Sequence, residues 1–148
     1  MNIIPLVLED CKKAAHLHQN AFETGWEESS FQELLQTPLI TGIKVEEEGK
    51  FLGYILWREI IDEAEILTFV VHPEHQQKGV GTYLLQNVCA WLKDKGISRI
   101  FLEVAEDNVK ALAFYQKWEF TFLSKRPQYY SRKGKGYVAA LNCSKELI

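Results

Sequence analysis

The chain has 148 residues, of which 47% are hydrophobic and 25% are charged. This length fits one domain, and the composition is typical of a globular protein. The formal net charge of −3 argues against a general nucleic-acid-binding protein. No apolar run approaches the ~20 residues of a membrane span, and the first residues lack the pattern of a signal peptide. We therefore expect one cytoplasmic domain over residues 1–148, without a membrane or nucleic-acid partner. The oligomeric state stays open, with a monomer favoured.

The cysteines and histidines do not predict a metal or disulfide framework. Cys11, Cys89 and Cys143 are far apart and odd in number, without a Cys-x-x-Cys pair. His16 and His18 are close in sequence, but the helical period places them on different faces of a helix. We expect reduced thiols and no metal.

Hydrophobic periodicity divides the chain into alternating strands and helices. The predicted strands are Ile3 to Leu8, Ile40 to Glu46, Phe51 to Arg58, Glu65 to Val71, Arg99 to Val104, Phe120 to Ser124 and Gly136 to Leu141. The predicted helices cover Cys11 to Phe22, a segment starting at Ser30, Val80 to Gly96, and Asn108 to Trp118. Ser30 and Glu33 have the spacing of a capping box. The order βααβββαβαββ predicts an α/β domain with a mixed central sheet.

The turn between the third predicted helix and the strand before it has the composition of an anion cradle. It reads QQKGVG over residues 76–81. A helix N-terminus offers unpaired N–H groups and the positive end of the helix dipole, and glycines permit φ values and close approaches that a Cβ would hinder. The spacing fits neither a Rossmann fingerprint nor a P-loop. A strand-to-helix turn without a ligand is the alternative.

Four motifs together resemble the GCN5-related N-acetyltransferase (GNAT) superfamily. They are VVHP at 70–73, QQKGVG at 76–81, LEV at 102–104 with Asn108, and AFY at 113–115. Within the superfamily the chain is similar to RimI-type enzymes, which acetylate the N-terminal amine of a ribosomal protein. The resemblance extends from Ile3 to about Leu141. It implies a single GNAT-like domain and acetyl-CoA as the co-substrate.

The resemblance also implies a set of residues that bind acetyl-CoA. These are Phe69, Val70, Val71, Gln76, Gln77, Lys78, Gly79, Val80, Gly81, Thr82, Asn108 and Tyr115. The amides of 76–82 would hold the pyrophosphate, and the backbone of Phe69 to Val71 would pair with the pantetheine arm like an added strand. Those three residues also fit plain sheet core, and both interpretations can hold together.

Two residues match the family's catalytic positions. Glu103 would be the base that takes the proton of the acceptor amine, and Tyr115 would protonate the leaving thiolate. Taken without the resemblance, Glu103 fits an outward-facing strand residue and Tyr115 fits an amphipathic helix core.

The acceptor side is predicted from two further segments. Trp26 and Phe31 match a helix-pair region that borders the acceptor groove, and Tyr129 and Tyr130 match a hairpin that could contact a peptide. Packing within the hairpin is the alternative for the tyrosines. The basic residues of 124–136 predict a preference for acidic acceptor peptides, with a solvated loop as the alternative; they are Lys125, Arg126, Arg132, Lys133 and Lys135. Three departures from the family pattern are Gly25, Gln128 and the pair Trp118-Glu119.

The sequence therefore predicts an acetyl-CoA-dependent N-acetyltransferase whose acceptor is the N-terminal amine of a protein such as a small-subunit ribosomal protein. Two alternatives remain open. The acceptor could be a lysine side chain or a small-molecule amine, or the chain could be a non-catalytic acetyl-CoA-binding module.

Overall fold

The computed structural model describes residues 1–134 and 136–147. In this part of the chain the strands are β1 (Asn2–Pro5), β2 (Ile40–Glu47), β3 (Lys50–Ile60), β4 (Glu63–Val71), β5 (Arg99–Ala105), β6 (Thr121–Arg132) and β7 (Gly136–Glu146). The helices are α1 (Cys11–Ala21), α2 (Glu28–Leu35), α3 (Val80–Asp94) and α4 (Val109–Lys117), with short 3₁₀ turns at Leu8–Asp10 and Pro73–His75. This is the predicted order βααβββαβαββ.

The strands form one mixed sheet in the order β1-β2-β3-β4-β5-β7-β6. Neighbouring strands are antiparallel except β4 and β5, which are parallel and pair only from Glu63 with Arg99 to Glu65 with Phe101. Beyond those residues the two strands separate, while β4 remains paired with β3 as far as Val71 and β5 with β7 as far as Ala105. The sheet is therefore split between the carboxyl ends of its two central strands.

A β-bulge in β4 lies where the split begins. Leu56 pairs with Thr68 and Trp57 with Ile66, so Leu67 is an extra residue in β4. A bulge bends its strand and increases the local twist. Because β5 has no matching insertion opposite β4, this bend accounts for the loss of pairing after Glu65.

Helices cover both faces of the sheet and give two hydrophobic cores. On one face α3 packs its buried stripe, which includes Leu84, Val88 and Leu92, against Ile55 and Ile100. On the other face, α1 and α2 bury residues that include Ala14 and Phe31 against Tyr54 and Leu56. The alternation of Ile55 with Tyr54 and Leu56 along β3 sends successive side chains to opposite faces. Among the described residues, no helix is long and apolar enough to cross a membrane.

Two predicted boundaries at the N-terminal end were wrong. β1 ends at Pro5 rather than Leu8, because the carboxylate of Asp10 accepts the Val7 N–H at 2.8 Å and turns the chain. Asp10 is itself held by the Lys44 ammonium at 2.6 Å. Helix α2 begins at Glu28 rather than Ser30, with Glu27 at the N-cap and no capping box. Acidic residues at a helix N-terminus are favoured by the dipole.

The last two strands are much longer than predicted. β6 continues past Ser124 to Arg132, and β7 continues past Leu141 to Glu146. The strands form a hairpin whose register shifts between Arg126 and Tyr130, where β6 has more residues than β7. Gln128 lies in this bulge with φ of 54°, a conformation that asparagine adopts more readily than glutamine. Most of β6 is exposed, so hydrophobic periodicity gave no signal for it.

Candidate active site

The predicted anion cradle forms the N-terminus of α3. Gly79 is the N-cap, with φ of 84°, and the Tyr83 N–H makes the first helical bond to its carbonyl at 2.9 Å. The N–H groups of Val80, Gly81 and Thr82 precede that bond and have no intrahelical acceptor. Lys78 adds a positive charge beside them. The turn can therefore bind an anion through backbone donors and the helix dipole.

The two glycines of the cradle have different roles. Gly79 needs the left-handed conformation, in which a β-branched residue would be strained. Gly81 is helical, and an added Cβ would lie 3.6 Å from the Phe114 ring and from Val71, which are ordinary contacts. The protein itself therefore does not require glycine at position 81, and the expectation that Gly81 allows close approach of the anion stays a prediction. Gln77 also has a positive φ, of 66°, without being glycine.

An aromatic cluster joins the cradle to the carboxyl end of β4. The Phe69 ring lies 5.8 Å from that of Phe114 and 6.5 Å from that of Tyr115, measured between centroids. Phe114 also adjoins Gly81 at the start of α3. The structure thus brings together predicted cofactor-binding residues from β4, α3 and α4, beside the split in the sheet.

Tyr115 lies on α4, whose start is fixed by Asn108. The Asn108 side chain is the N-cap and accepts the Ala111 N–H at 3.2 Å. The Tyr115 ring packs edge-on against Phe120, with centroids 5.3 Å apart. Burial raises the pKa of Tyr115 well above its ordinary value, so the phenol keeps its proton at neutral pH. A protonated phenol beside the split can act as an acid.

Glu103 faces away from α3 and α4. Ile100, Leu102 and Val104 are buried in the core under these helices, so strand alternation places Glu103 on the opposite face of β5. It is the second residue after the last paired position, Phe101, and therefore borders the split. Its Oε2 atom is buried and has no hydrogen-bond partner among residues 1–134 and 136–147. A buried carboxylate oxygen without a donor is suited to accept a proton or hydrogen bond from a ligand.

Arg126 connects the β6–β7 hairpin to Glu103. Arg126 Nη2 lies 3.5 Å from Glu103 Oε1, and its guanidinium stacks over the Tyr129 ring at 4.5 Å. The rings of Tyr129 and Tyr130 are 5.0 Å apart. Burial, followed by the charge of Glu103, raises the pKa of Tyr130. Arg126 therefore links the predicted base to the hairpin, since it contacts both Glu103 and Tyr129.

Trp26 and Phe31 lie on the α1 and α2 side, at different depths. Trp26 borders a groove of about 410 Å³ whose lining includes Leu34, Arg58 and Leu67. Phe31 is 0% exposed and packs against Trp26 and Tyr54 in the core. The expectation that Phe31 borders the acceptor groove was wrong, because its ring has no exposed surface and packs against Trp26 in the core.

The basic residues of 124–136 are largely neutralised by acids. Lys125 pairs with Glu106 at 2.9 Å and Arg126 with Glu103 at 3.5 Å. Arg132 pairs with Asp107 at 2.9 Å and with Glu23 at 3.6 Å. Lys135 lies outside the described residues. For Lys125, Arg126 and Arg132 the expected preference for acidic acceptor peptides loses its basis, since these three cations already have partners, and for Lys133 it stays a prediction.

Three side chains before the cradle could approach a metal ion. Donor atoms of His72, Glu74 and His75 lie within 4.8 Å of one another. His72 already accepts the Glu74 N–H through Nδ1 at 3.2 Å. These three residues directly precede the cradle in the chain. The expectation that no metal takes part remains a prediction.

Sequence reasoning missed two features of the site. The bulge at Leu67 has no clear signal in the run EILTFVV, which reads as continuous strand. Arg132 was grouped with the other basic residues, although it connects three separate segments. Its partners, Glu23 and Asp107, are distant in sequence, so only the fold shows the connection.

Comparison with known proteins agrees with this geometry. The chain is similar to the [ribosomal protein bS18]-alanine N-acetyltransferase of Escherichia coli strain K12, with 29% identity over 131 residues, covering 88% of each chain. It is 28% identical over 129 residues to a putative enzyme of the same description from Bacillus subtilis strain 168, covering 86% of this chain and 85% of that one.

The crystal structure of the ribosomal-protein-S18-alanine N-acetyltransferase from Escherichia coli superposes with a TM-score of 0.92. The sequence identity is 26%, and the match covers 99% of this chain and 93% of the other. The profile of the acetyltransferase (GNAT) family matches residues 11–120, which include the cradle, the split, Glu103 and Tyr115. The chain therefore belongs to the acetyltransferase (GNAT) family and is an acetyl-CoA-dependent N-acetyltransferase.

Proposed function

We propose that this enzyme acetylates the N-terminal α-amine of a cytoplasmic protein, and that its natural acceptor is an N-terminal alanine of a small-subunit ribosomal protein. The observation that carries the proposal is the similarity to enzymes described by that acceptor, which extends over 88% of the chain. The hairpin that carries Tyr129 and Tyr130 supports the proposal, because Arg126 on the same strand lies 3.5 Å from Glu103.

Acetyl-CoA would occupy the split between β4 and β5. The pyrophosphate would lie at the amides of residues 76–82, and the pantetheine arm would pair with the free edge of β4 at Phe69 to Val71. This edge is unpaired because β5 has already separated from β4. An acetyl group carried to this point would have the face of Glu103 on one side and the face of Tyr115 on the other.

The two candidate catalytic groups would have complementary roles. Glu103, with a buried free oxygen, would accept the proton of the acceptor ammonium directly or through one water. The neutral nitrogen then attacks the thioester carbonyl and the C–N bond forms. As the tetrahedral intermediate collapses, the C–S bond breaks. Tyr115, kept protonated by burial, would give its proton to the departing thiolate. The nitrogen loses its second proton to solvent, from which the Tyr115 phenolate is reprotonated. No covalent acetyl-enzyme is needed.

The acceptor chemistry favours an α-amine. An N-terminal amine has a pKa of about 7.7 to 8.0, whereas that of a lysine side chain is about 10.4. At neutral pH a minority of N-terminal amines are already neutral, so the free energy needed to deprotonate the acceptor is small. Deprotonating a lysine side chain with the same carboxylate would require more free energy.

The test is a peptide panel assayed by CoA release and mass spectrometry. It contains peptides beginning with alanine, with free or blocked N-termini, each with and without an internal lysine. A lysine side-chain enzyme would instead acetylate the blocked peptides that contain lysine. We expect acetylation of every free N-terminus and of no blocked peptide.

Small amines such as spermidine are tested in parallel. Activity confined to them would replace the proposed acceptor class while leaving acetyl transfer intact. Binding of acetyl-CoA without CoA release from any amine would indicate a non-catalytic module. Either result would overturn the proposal.

A further inference from the structure

Arg132, the last residue of β6, binds two acids from different parts of the chain. Its Nε and Nη2 atoms donate to the two carboxylate oxygens of Asp107 at 2.9 and 3.0 Å. Nε also lies 3.6 Å from the Glu23 carboxylate, which accepts the Lys133 N–H at 2.5 Å. The Arg132 side chain is 20% exposed, so these pairs are partly shielded from water.

The three segments joined by Arg132 carry groups from both sides of the proposed active site. Asp107 immediately precedes Asn108, the N-cap of the helix that bears Tyr115. Glu23 belongs to residues 22–27, the loop between α1 and α2 that also carries Trp26. The Arg132 guanidinium lies 5.5 Å from the ring of Tyr130, on the same strand.

The loop of residues 22–27 is fixed at its other end by α1. His18 Nδ1 accepts the Trp26 N–H and Gln19 Nε2 donates to the Trp26 carbonyl, both at 3.0 Å. Gly25 allows this approach, because a Cβ there would lie 2.3 Å from the Gln19 Cα atom. The His18 and Trp26 rings stack with centroids 4.7 Å apart. The loop is therefore held by α1 at Trp26 and by β6 at Glu23.

We propose that Arg132 is a positioning residue that fixes the entrance through which the acceptor reaches Glu103. This inference rests on the proposed function, because it takes the 22–27 loop and the β6–β7 hairpin as the walls of the acceptor site. Arg132 holds these walls at one separation before the acceptor arrives. The ordering cost is then met during folding rather than during binding, which lowers the acceptor KM.

The geometry requires arginine rather than any cation. A guanidinium can donate two parallel bonds to Asp107 and still face Glu23, whereas a lysine ammonium is a point charge without that fork. Arg132→Lys should therefore hold the 22–27 loop and the hairpin together in part. Arg132→Met, which retains an unbranched apolar stem, should not hold them.

The first experiment measures KM separately for the acceptor peptide and for acetyl-CoA. For Arg132→Met we expect the acceptor KM to rise about tenfold, the difference that 1.4 kcal/mol gives, with Arg132→Lys between Met and wild type. The KM and thermal shift for acetyl-CoA should not change. Arg99→Met is the matched control. It breaks a similar ion pair, with Glu146 at 2.7 Å, at the amino end of β5, away from Glu103 near the carboxyl end.

The second experiment measures amide hydrogen exchange without substrate, so it does not depend on the acceptor. Arg132→Met and Glu23→Gln should each speed exchange in residues 22–27, and the double variant should be no faster than Arg132→Met alone. Unchanged exchange would overturn the proposal. An acceptor KM that stays constant or falls, or an equal loss of acetyl-CoA binding, would also overturn it. If wild type acetylates no peptide, the proposed function fails, and exchange still decides the role of Arg132.

Discussion

Replacing Tyr115 by phenylalanine isolates one proton-transfer step, because it removes only an oxygen. The ring contacts with Phe69, Phe114 and Phe120 can all remain. If the phenol protonates the leaving thiolate, its loss should lower kcat by about 10² to 10⁴-fold, the usual value of general acid catalysis. At 1.36 kcal/mol per tenfold, this corresponds to about 3 to 5 kcal/mol of transition-state stabilisation. Acetyl-CoA affinity should hardly change, since the proton matters only in the transition state.

Steady-state CoA release with a free N-terminal peptide measures both parameters. Tyr137→Phe is the matched control, because Tyr137 is 62% exposed on β7. The raised pKa of Tyr115 adds a second expectation. In wild type, kcat should not fall on the alkaline side until above pH 10, the ordinary pKa of tyrosine. A Tyr115→Phe enzyme with the kcat of wild type would refute the assignment.

Four further predictions test the base, the cradle and the stability of the fold. Glu103→Gln should slow turnover most at low pH, and the deficit should shrink as pH nears the acceptor amine's pKa of about 8; a constant deficit from pH 6 to 9 would indicate positioning instead. Gly79→Val should abolish the rise in Tm with acetyl-CoA, whereas Gly49→Val, also at positive φ but in the β2–β3 turn, should keep it. Glu119→Gly should raise Tm by about 2 to 4 °C, since it relieves about 1 kcal/mol at φ of 66°, and Glu119→Ala should give no gain. Burial lowers the pKa of His18 from 6.5 to about 4, so the unfolded state binds more protons between these values; the free energy of unfolding should fall as pH drops from 6.5 to 4, and His18→Asn should flatten that part of the profile.

The order of elements was predictable because each has a regular hydrophobic period or a strong turn signal. The stripe of Val80, Leu84, Val88 and Leu92 is buried in the core as expected. The exposed hairpin strand β6 was predicted too short, since its stability comes from pairing with β7 rather than from burial. Periodicity has no means of detecting such a strand.

The site was predictable only where local chemistry determines it. Gly79 has the positive φ that a tight strand-to-helix turn needs, and Asn108 caps α4 as its residue type suggests. The split between β4 and β5 depends on a bulge and on pairing with distant strands, which no local pattern encodes. Glu119 is a case in which the residue type does not predict the local conformation. It keeps the left-handed conformation at the end of α4 although the sequence lacks glycine there, because the surrounding fold fixes the chain.

The depth of Phe31 and the pairing of the basic residues were also beyond the sequence. Phe31 lies on the same helix face as Leu34 and Leu35, and periodicity alone does not show which part of that face is covered. Arg132 and Glu23 are far apart in sequence, and only the tertiary structure brings them into contact. Ion pairs between residues that are distant in sequence therefore give the basic residues of the hairpin a structural role that the sequence did not indicate.

The most direct test of the central claim is mass spectrometry of intact ribosomal proteins from cells with the wild-type gene, without it, and with the Tyr115→Phe variant. We expect one small-subunit protein, the counterpart of bS18, to carry an N-terminal acetyl group only with the wild-type gene. Tandem fragmentation should place this group on the first residue and leave lysine side chains unmodified. An N-terminal acetyl group that persists without the gene, or a gene-dependent acetyl group on a lysine side chain, would contradict the account.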